Sequence, residues 1–375
     1  MKKILLGSTV LVGTAALFAG AAFAGETPKV TLGGVSDFQV GIVSEDRDTN
    51  LRSGAFKTET DLSIKIDAKT DAGLGYGGEI VLDVSNTDDA DNENDQVGKS
   101  YVYLDGAWGR LEGGSNYGAA STMKVDASRI ARATGGIDGD FNYFMSATTG
   151  STIATPDLIL DYGATQFGDE SQEAINKVTY YTPRFMGFQA GVSYLFDSTG
   201  NDRGTGISRA DNNNEAENVF VGGINYDNKF GDFGVAAAVT GEFGDSEVTT
   251  REDLRTWNAG AKVAYMGFSL AGSYGSWGDS LQLTSTASDE DTMYWTLGGA
   301  YEYGPFGASV TYLNSEFDNG ATENEFDNLS VGVDYKLAPG LTPYAEVSFV
   351  EFDNATGTAN DNDATVFIAG TQLAF

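Results

Sequence analysis

The chain contains no cysteine and no histidine among its 375 residues. Without histidine, Ser-His-Asp catalysis, Cys-His catalysis and imidazole metal sites are all unavailable. Without cysteine no disulfide can staple it, so a small secreted scaffold is excluded. Carboxylate-only chemistry, such as glycoside hydrolysis, survives both absences. Basic residues are scarce too: 22 Lys and Arg stand against 54 Asp and Glu, a formal net charge of −32. That argues against nucleic acid as a partner, because phosphate contacts need Lys and Arg. The same excess favours solubility and attraction of cations. Proline numbers only 6 beside 49 glycines, which speaks against a disordered linker protein. Beyond the N-terminus no apolar run approaches the ~20 residues that a membrane helix needs.

The N-terminal exception reads as a targeting segment. Lys2 and Lys3 form a charged start, Ile4 to Leu17 an apolar stretch, and Ala22-Phe23-Ala24 a small–x–small cleavage pattern. We expect a signal peptide over residues 1–24 and a single mature unit over 25–375, since no composition break marks a linker. The expectation is an exported chain without a helical anchor.

What fills the mature chain is alternation. In 329–337, Leu329, Val331, Val333, Tyr335 and Leu337 alternate with Ser330, Gly332, Asp334 and Lys336, which places the two sets on opposite faces of a strand. Sixteen such strands are expected, at 28–43, 56–69, 76–85, 98–105, 107–116, 176–183, 188–196 and 218–227, then 233–243, 255–265, 268–277, 292–303, 306–315, 328–337, 341–352 and 364–375. From the second strand on, their connections alternate between tight turns, as at 184–187 and 266–267, and long polar loops, as at 86–97, 197–218 and 279–291. In a meander every second connection lies at the same end. A soluble sandwich has no reason to trim one end and load the other with acidic loops, whereas a barrel crossing an outer membrane does.

The faces agree. Trp257, Ala259, Ala261, Val263 and Tyr265, like Phe188, Ala190, Val192, Tyr194 and Phe196, put aromatics at the ends of an apolar face and smaller aliphatics between them. That is the order of aromatic girdles around a lipid band ~25 Å tall. A sandwich core would place aromatics mid-strand as often. The last strand, 364–375, ends on Phe375 and suits closure against the first, which removes both sheet edges.

The interval 117–175 breaks the pattern and needs a functional reason for its length. It carries Asp126, Asp138, Asp140, Asp157, Asp161, Asp169, Glu170 and Glu173 with Lys124, Arg129 and Arg132. Within it 135–142 faintly resembles a calcium-binding nonapeptide, and 88–98 resembles a calcium loop without its sixth-position glycine. Solvated acidic loops explain both; no cofactor is expected, beyond divalent cations loosely held at acidic loops. On the polar face of the early strands sit Lys57, Lys65 and Lys69, with Lys99 and Arg110 on the two that follow the second long loop. Basic side chains inside a barrel require a wet interior.

At WGRLEGGSNYGAA (108–120) and NKVTYYTPRFMGFQAGVSY (176–194) the chain resembles the general diffusion porins of Gram-negative bacteria, particularly the alphaproteobacterial branch. The first stretch is similar to the family strand that leads into its third loop, the second to the hairpin that follows it. The resemblance implies an all-β, sixteen-stranded antiparallel transmembrane β-barrel with a long inward-folded third loop, assembled as a homotrimer in the outer membrane among lipid and lipopolysaccharide. It further implies a constriction whose acidic side is drawn from Asp126, Asp138, Asp140 and Asp157 and whose basic wall is drawn from Lys57, Lys65, Lys99 and Arg110. Small hydrophilic solutes and ions would pass through it without a reaction, with cations favoured. A substrate-specific channel and a surface adhesin barrel are the alternatives. An outer-membrane protease or phospholipase is disfavoured because those chemistries use histidine.

Overall fold

The computed structural model describes residues 25–46, 52–84, 97–146, 153–159, 175–198, 215–285, 292–318, 323–353 and 361–375. The expected signal segment 1–24, the loop region 88–96 and the acids Asp161, Asp169, Glu170 and Glu173 lie outside them.

Sixteen antiparallel strands close into one barrel. The first eight are β1 (Lys29–Glu45), β2 (Gly54–Lys69), β3 (Gly75–Asp83), β4 (Val97–Gly106), β5 (Gly109–Ser115), β6 (Asn176–Tyr181), β7 (Phe188–Asp197) and β8 (Ala216–Phe230). The second eight are β9 (Phe233–Ser246), β10 (Leu254–Tyr265), β11 (Phe268–Gly278), β12 (Thr292–Tyr303), β13 (Phe306–Asp318), β14 (Glu323–Tyr335), β15 (Leu341–Asp353) and β16 (Asn362–Ala374). Each strand pairs with its sequence neighbours, and β1 pairs with β16 from Val35 opposite Ala374 to Glu45 opposite Ala364. Phe375 then exchanges two backbone hydrogen bonds with Gly34, both 3.0 Å. No edge is left open.

Every expected strand is present, with ends displaced where pairing outruns local composition. β8 runs on through Asn228 and Lys229, which sit opposite Val235 and Gly234, so the turn is Gly231-Asp232 alone and not the expected 228–232. β14 starts at Glu323, before the expected 328, because Glu323 to Asp327 pair with Asn314 to Asp318. In the Met-Gly turns both residues have positive φ (Met186 51°, Gly187 92°; Met266 47°, Gly267 88°), the mirror-image geometry that matches strand twist.

The two faces of the wall differ sharply. In β14 Leu329, Val331, Val333 and Tyr335 are exposed, while Asn328, Ser330 and Asp334 are buried. The exposed apolar face is the outer one, and its rings gather at two levels. Phe188–Tyr226, Phe233–Tyr265 and Phe268–Tyr301 lie near the tight turns, and Tyr194–Phe220, Trp257–Tyr274 and Trp295–Tyr312 near the long loops. These are the two girdles of a transmembrane barrel. The inner face is not uniformly polar. Val350, Phe352, Val366 and Ile368 also point inward and are buried with Ile137, Phe141 and Phe144 of the segment between β5 and β6.

Candidate functional site

The described parts of that segment, 116–146 and 153–159, hydrogen-bond to side chains of the wall. A five-residue helix α1 (Ala119–Met123) and three single 3-10 turns (Ala127–Ile130, Gly136–Asp138, Asp140–Tyr143) carry it from Asn116 to Ser146. Such short turns leave most backbone N–H groups without a partner, and a buried orphan costs ~1–3 kcal/mol. Wall side chains take them in order around the barrel. Ala119 N donates to Ser193 Oγ on β7 (2.9 Å), Ala127 N to Thr296 Oγ1 on β12 (3.3 Å) and Arg132 N to Ser309 Oγ on β13 (2.8 Å). Gly136 N donates to Glu346 on β15 (3.1 Å) and Ser146 N to Glu45 on β1 (3.0 Å). The stretch 153–159 is held the same way, Ala154 N donating to Ser315 on β13 and Ile159 N to Glu242 on β9.

Glycines on the same face make the room. A Cβ at Gly260 of β10 would lie 1.7 Å from the Val125 carbonyl oxygen, and one at Gly332 of β14 2.8 Å from that of Arg132. Both obstacles are backbone, so no side chain fits while the segment stays seated.

The acids expected in this segment divide. Asp126 is fully buried and caps its 3-10 turn, accepting from Ser128 N (2.8 Å) and Ser128 Oγ (2.6 Å). Asp157 pairs with Lys124, whose Nζ is also 3.9 Å from Asp126. Burial pulls the Lys124 ammonium down, but Asp157, Asp126 and Asp138 outweigh it and hold its pKa above the ordinary lysine value. Asp126 and Asp157 therefore face a lysine of their own segment and not a wall base. Asp138 is exposed beside this cluster. Asp140 meets an expected wall base: its Oδ1 is 3.4 Å from Lys57 Nζ, while its Oδ2 accepts from Gln39 of β1, the register partner of Lys57.

Two of the other wall bases sit against tyrosine rings. Lys99 Nζ lies 3.1 Å from the ring centre of Tyr117. Arg110 stacks on Tyr103 at 3.8 Å and pairs with Glu112. Lys65 is exposed, in register between Thr31 and Glu79. Lys99 and Arg110 border a cavity of about 760 Å3, shared with Glu79, Glu112, Tyr117 and Arg184. Sequence reasoning assigned no role to Lys124, Glu45, Glu242 or Glu346. For Asp126 a signal existed, an Asp two residues before a serine at the start of a turn. Among the described residues no group of three or more Asp or Glu is placed to hold a metal ion.

The resemblance can now be set against known proteins. A family model of Gram-negative porins matches residues 7–371. The chain belongs to the Gram-negative porin family. Uncharacterised proteins of Rickettsia bellii (strain RML369-C) and Rickettsia conorii (strain ATCC VR-613 / Malish 7) are 26% identical over 444 residues and 27% identical over 456, each over the full length of both chains. Among solved structures, an anion-selective porin from Comamonas acidovorans covers 93% of this chain and all of its own, with TM-score 0.65 at 18% identity. A mutant of Rh. blastica porin covers 92% of this chain and all of its own, with TM-score 0.57 at 15% identity. This porin is accordingly an outer-membrane diffusion channel, with the outer face of its barrel in lipid.

Proposed function

We propose that this porin is a general channel for small hydrophilic solutes and ions, preferring cations, in which the stretches 116–146 and 153–159 run inside the barrel and narrow it. The observation that carries the reading is the Asp140–Lys57 contact, a carboxylate of the first stretch set beside an ammonium of the barrel wall. Opposed charges across a narrow wet passage produce a transverse field that orders water and disfavours apolar solutes. The anion-selective porin of Comamonas acidovorans shows that a similar fold carries the other preference, so the sign follows from side chains. Here 54 acidic residues against 22 basic ones support cation preference. Assembly as a homotrimer, contact with lipopolysaccharide and absence of catalysis belong to the same reading.

Purified protein in a planar bilayer should open stepwise, in groups of three. Silent bilayers at high protein concentration would overturn the channel reading in favour of an adhesin barrel. Liposome swelling that falls smoothly with solute size supports a general pore, whereas one solute far off that line would indicate a specific channel. Neutralising Asp138 and Asp140 together should move the reversal potential in a salt gradient toward anions; an unchanged potential would place both outside the passage.

A further inference from the structure

Three of the four expected wall bases sit against tyrosine rings, while Lys65 is exposed. Lys57 Nζ lies 3.3 Å from the ring centre of Tyr143, Lys99 Nζ 3.1 Å from that of Tyr117, and the Arg110 guanidinium 3.8 Å from that of Tyr103. A ring face carries the negative part of the aromatic quadrupole and attracts a cation set over it. Tyr117 and Tyr143 stand at the two ends of the pass along the inner wall, one just before α1 and one closing the last 3-10 turn. The segment thus lays a ring on the wall where it departs and another where it comes back.

Lys57 shows what the cover does. An ammonium has three N–H donors. Glu59 at 2.7 Å, Asp140 at 3.4 Å and the Tyr143 ring face occupy three directions around this one, and only about a fifth of the side chain is exposed. Little of its donor capacity points at the passage. Asp138, by contrast, is exposed.

We propose that Tyr143 and Tyr117 are selectivity-determining residues, which bias the passage toward cations by covering the ammonium groups of Lys57 and Lys99 with their rings. The proposal rests on the channel reading above but not on the sign of its preference, because it is tested as a difference between variant and wild type. A cation–ring contact at a partly exposed site changes an equilibrium by about two- to five-fold. Uncovering Lys57 in Tyr143→Leu, which keeps an apolar side chain, should therefore lower the cation-to-anion permeability ratio by about that factor. The ratio is read from the reversal potential of single channels in a potassium chloride gradient. Tyr143→Phe should restore the wild-type potential, since it keeps the ring and loses only the hydroxyl. In a Lys57→Met background Tyr143→Leu should produce no further shift, which separates covering from a purely structural role of the tyrosine.

Tyr117→Leu, read against Lys99→Met in the same way, is an independent test should the first variant fail to fold. A wild type that prefers anions would remove the cation reading and leave this test intact. An unchanged potential in Tyr143→Leu, an equal shift in Tyr143→Phe, or a shift that persists without Lys57 overturns the proposal.

Discussion

The inner wall has two sectors, and they use polar residues for different ends. From β7 round to β16 the inward positions under the segment between β5 and β6 are mostly small or uncharged, with Glu242, Asp334 and Glu346 as buried acidic exceptions. Thr256, Asn258, Thr311, Ser315 and Asn328 are fully buried there. From β2 to β5 the inward positions are long and charged, and Lys57, Glu59, Lys65, Lys99 and Arg110 all keep contact with solvent. A hydroxyl under cover accepts a backbone hydrogen bond and loses little on leaving water, whereas an uncompensated charge in the same place would be expensive. Inward polarity on one sector is therefore attachment, and on the other it is lining. The alternation of a strand cannot distinguish them.

The covered sector should be the fragile one. Lys124→Met leaves the buried Asp126 and the partly buried Asp157 without their cation and should lower unfolding stability by ~3–5 kcal/mol, measured by urea titration of the barrel in lipid vesicles. Because the folded Lys124 titrates above the ordinary lysine value, its stabilisation is complete below ~10.4 and is lost as pH rises through the higher folded value. The gap between wild type and Lys124→Met should thus stay open at neutral pH and narrow only in strong alkali. Next in size, Gly260→Val should cost ~1–3 kcal/mol by overpacking. Gly299→Ala, at a position with nothing within 4 Å of the added carbon, should stay within ~0.5 kcal/mol. Equal losses would mean that the segment is not seated on Gly260.

Smaller again, Ser309→Ala strands the Arg132 N–H and should cost ~1–2 kcal/mol. Ser63→Ala in the open sector, where the hydroxyl meets Glu79 beside water, should fall within ~0.5 kcal/mol. The smallest effect is expected for Lys65→Gln, which should leave stability unchanged and move the reversal potential slightly toward cations. A large loss of stability there would erase the distinction between the sectors.

Much of the barrel was legible because period-two alternation and tight glycine turns are local signals. The outer face of 329–337, the two aromatic levels and the pairing of 364–375 with the first strand were all readable in that way. The covering of β7 to β16 was not. Gly260, Ser309 and Thr296 look like any inward-facing small residue until the segment is laid on them. Nor could the sequence choose among the acids of 117–175, because Lys124 selects Asp157 from residues 33 positions away by tertiary contact. Lys57, nearest the long-loop end of its strand, proved to be the base that touches Asp140.

The pairing of β1 with β16 has a consequence for how the molecule comes to exist. It joins Val35 to Ala374, across nearly the whole of the barrel sequence. Closing a loop that long costs roughly 5 kcal/mol in chain entropy, because fourteen strands lie between its two partners. Until it closes, both rims of the sheet present bare amides, which hydrocarbon does not tolerate. Insertion and closure are therefore one event: half a barrel has no stable place in the bilayer, and the last strand to arrive decides whether the others may stay.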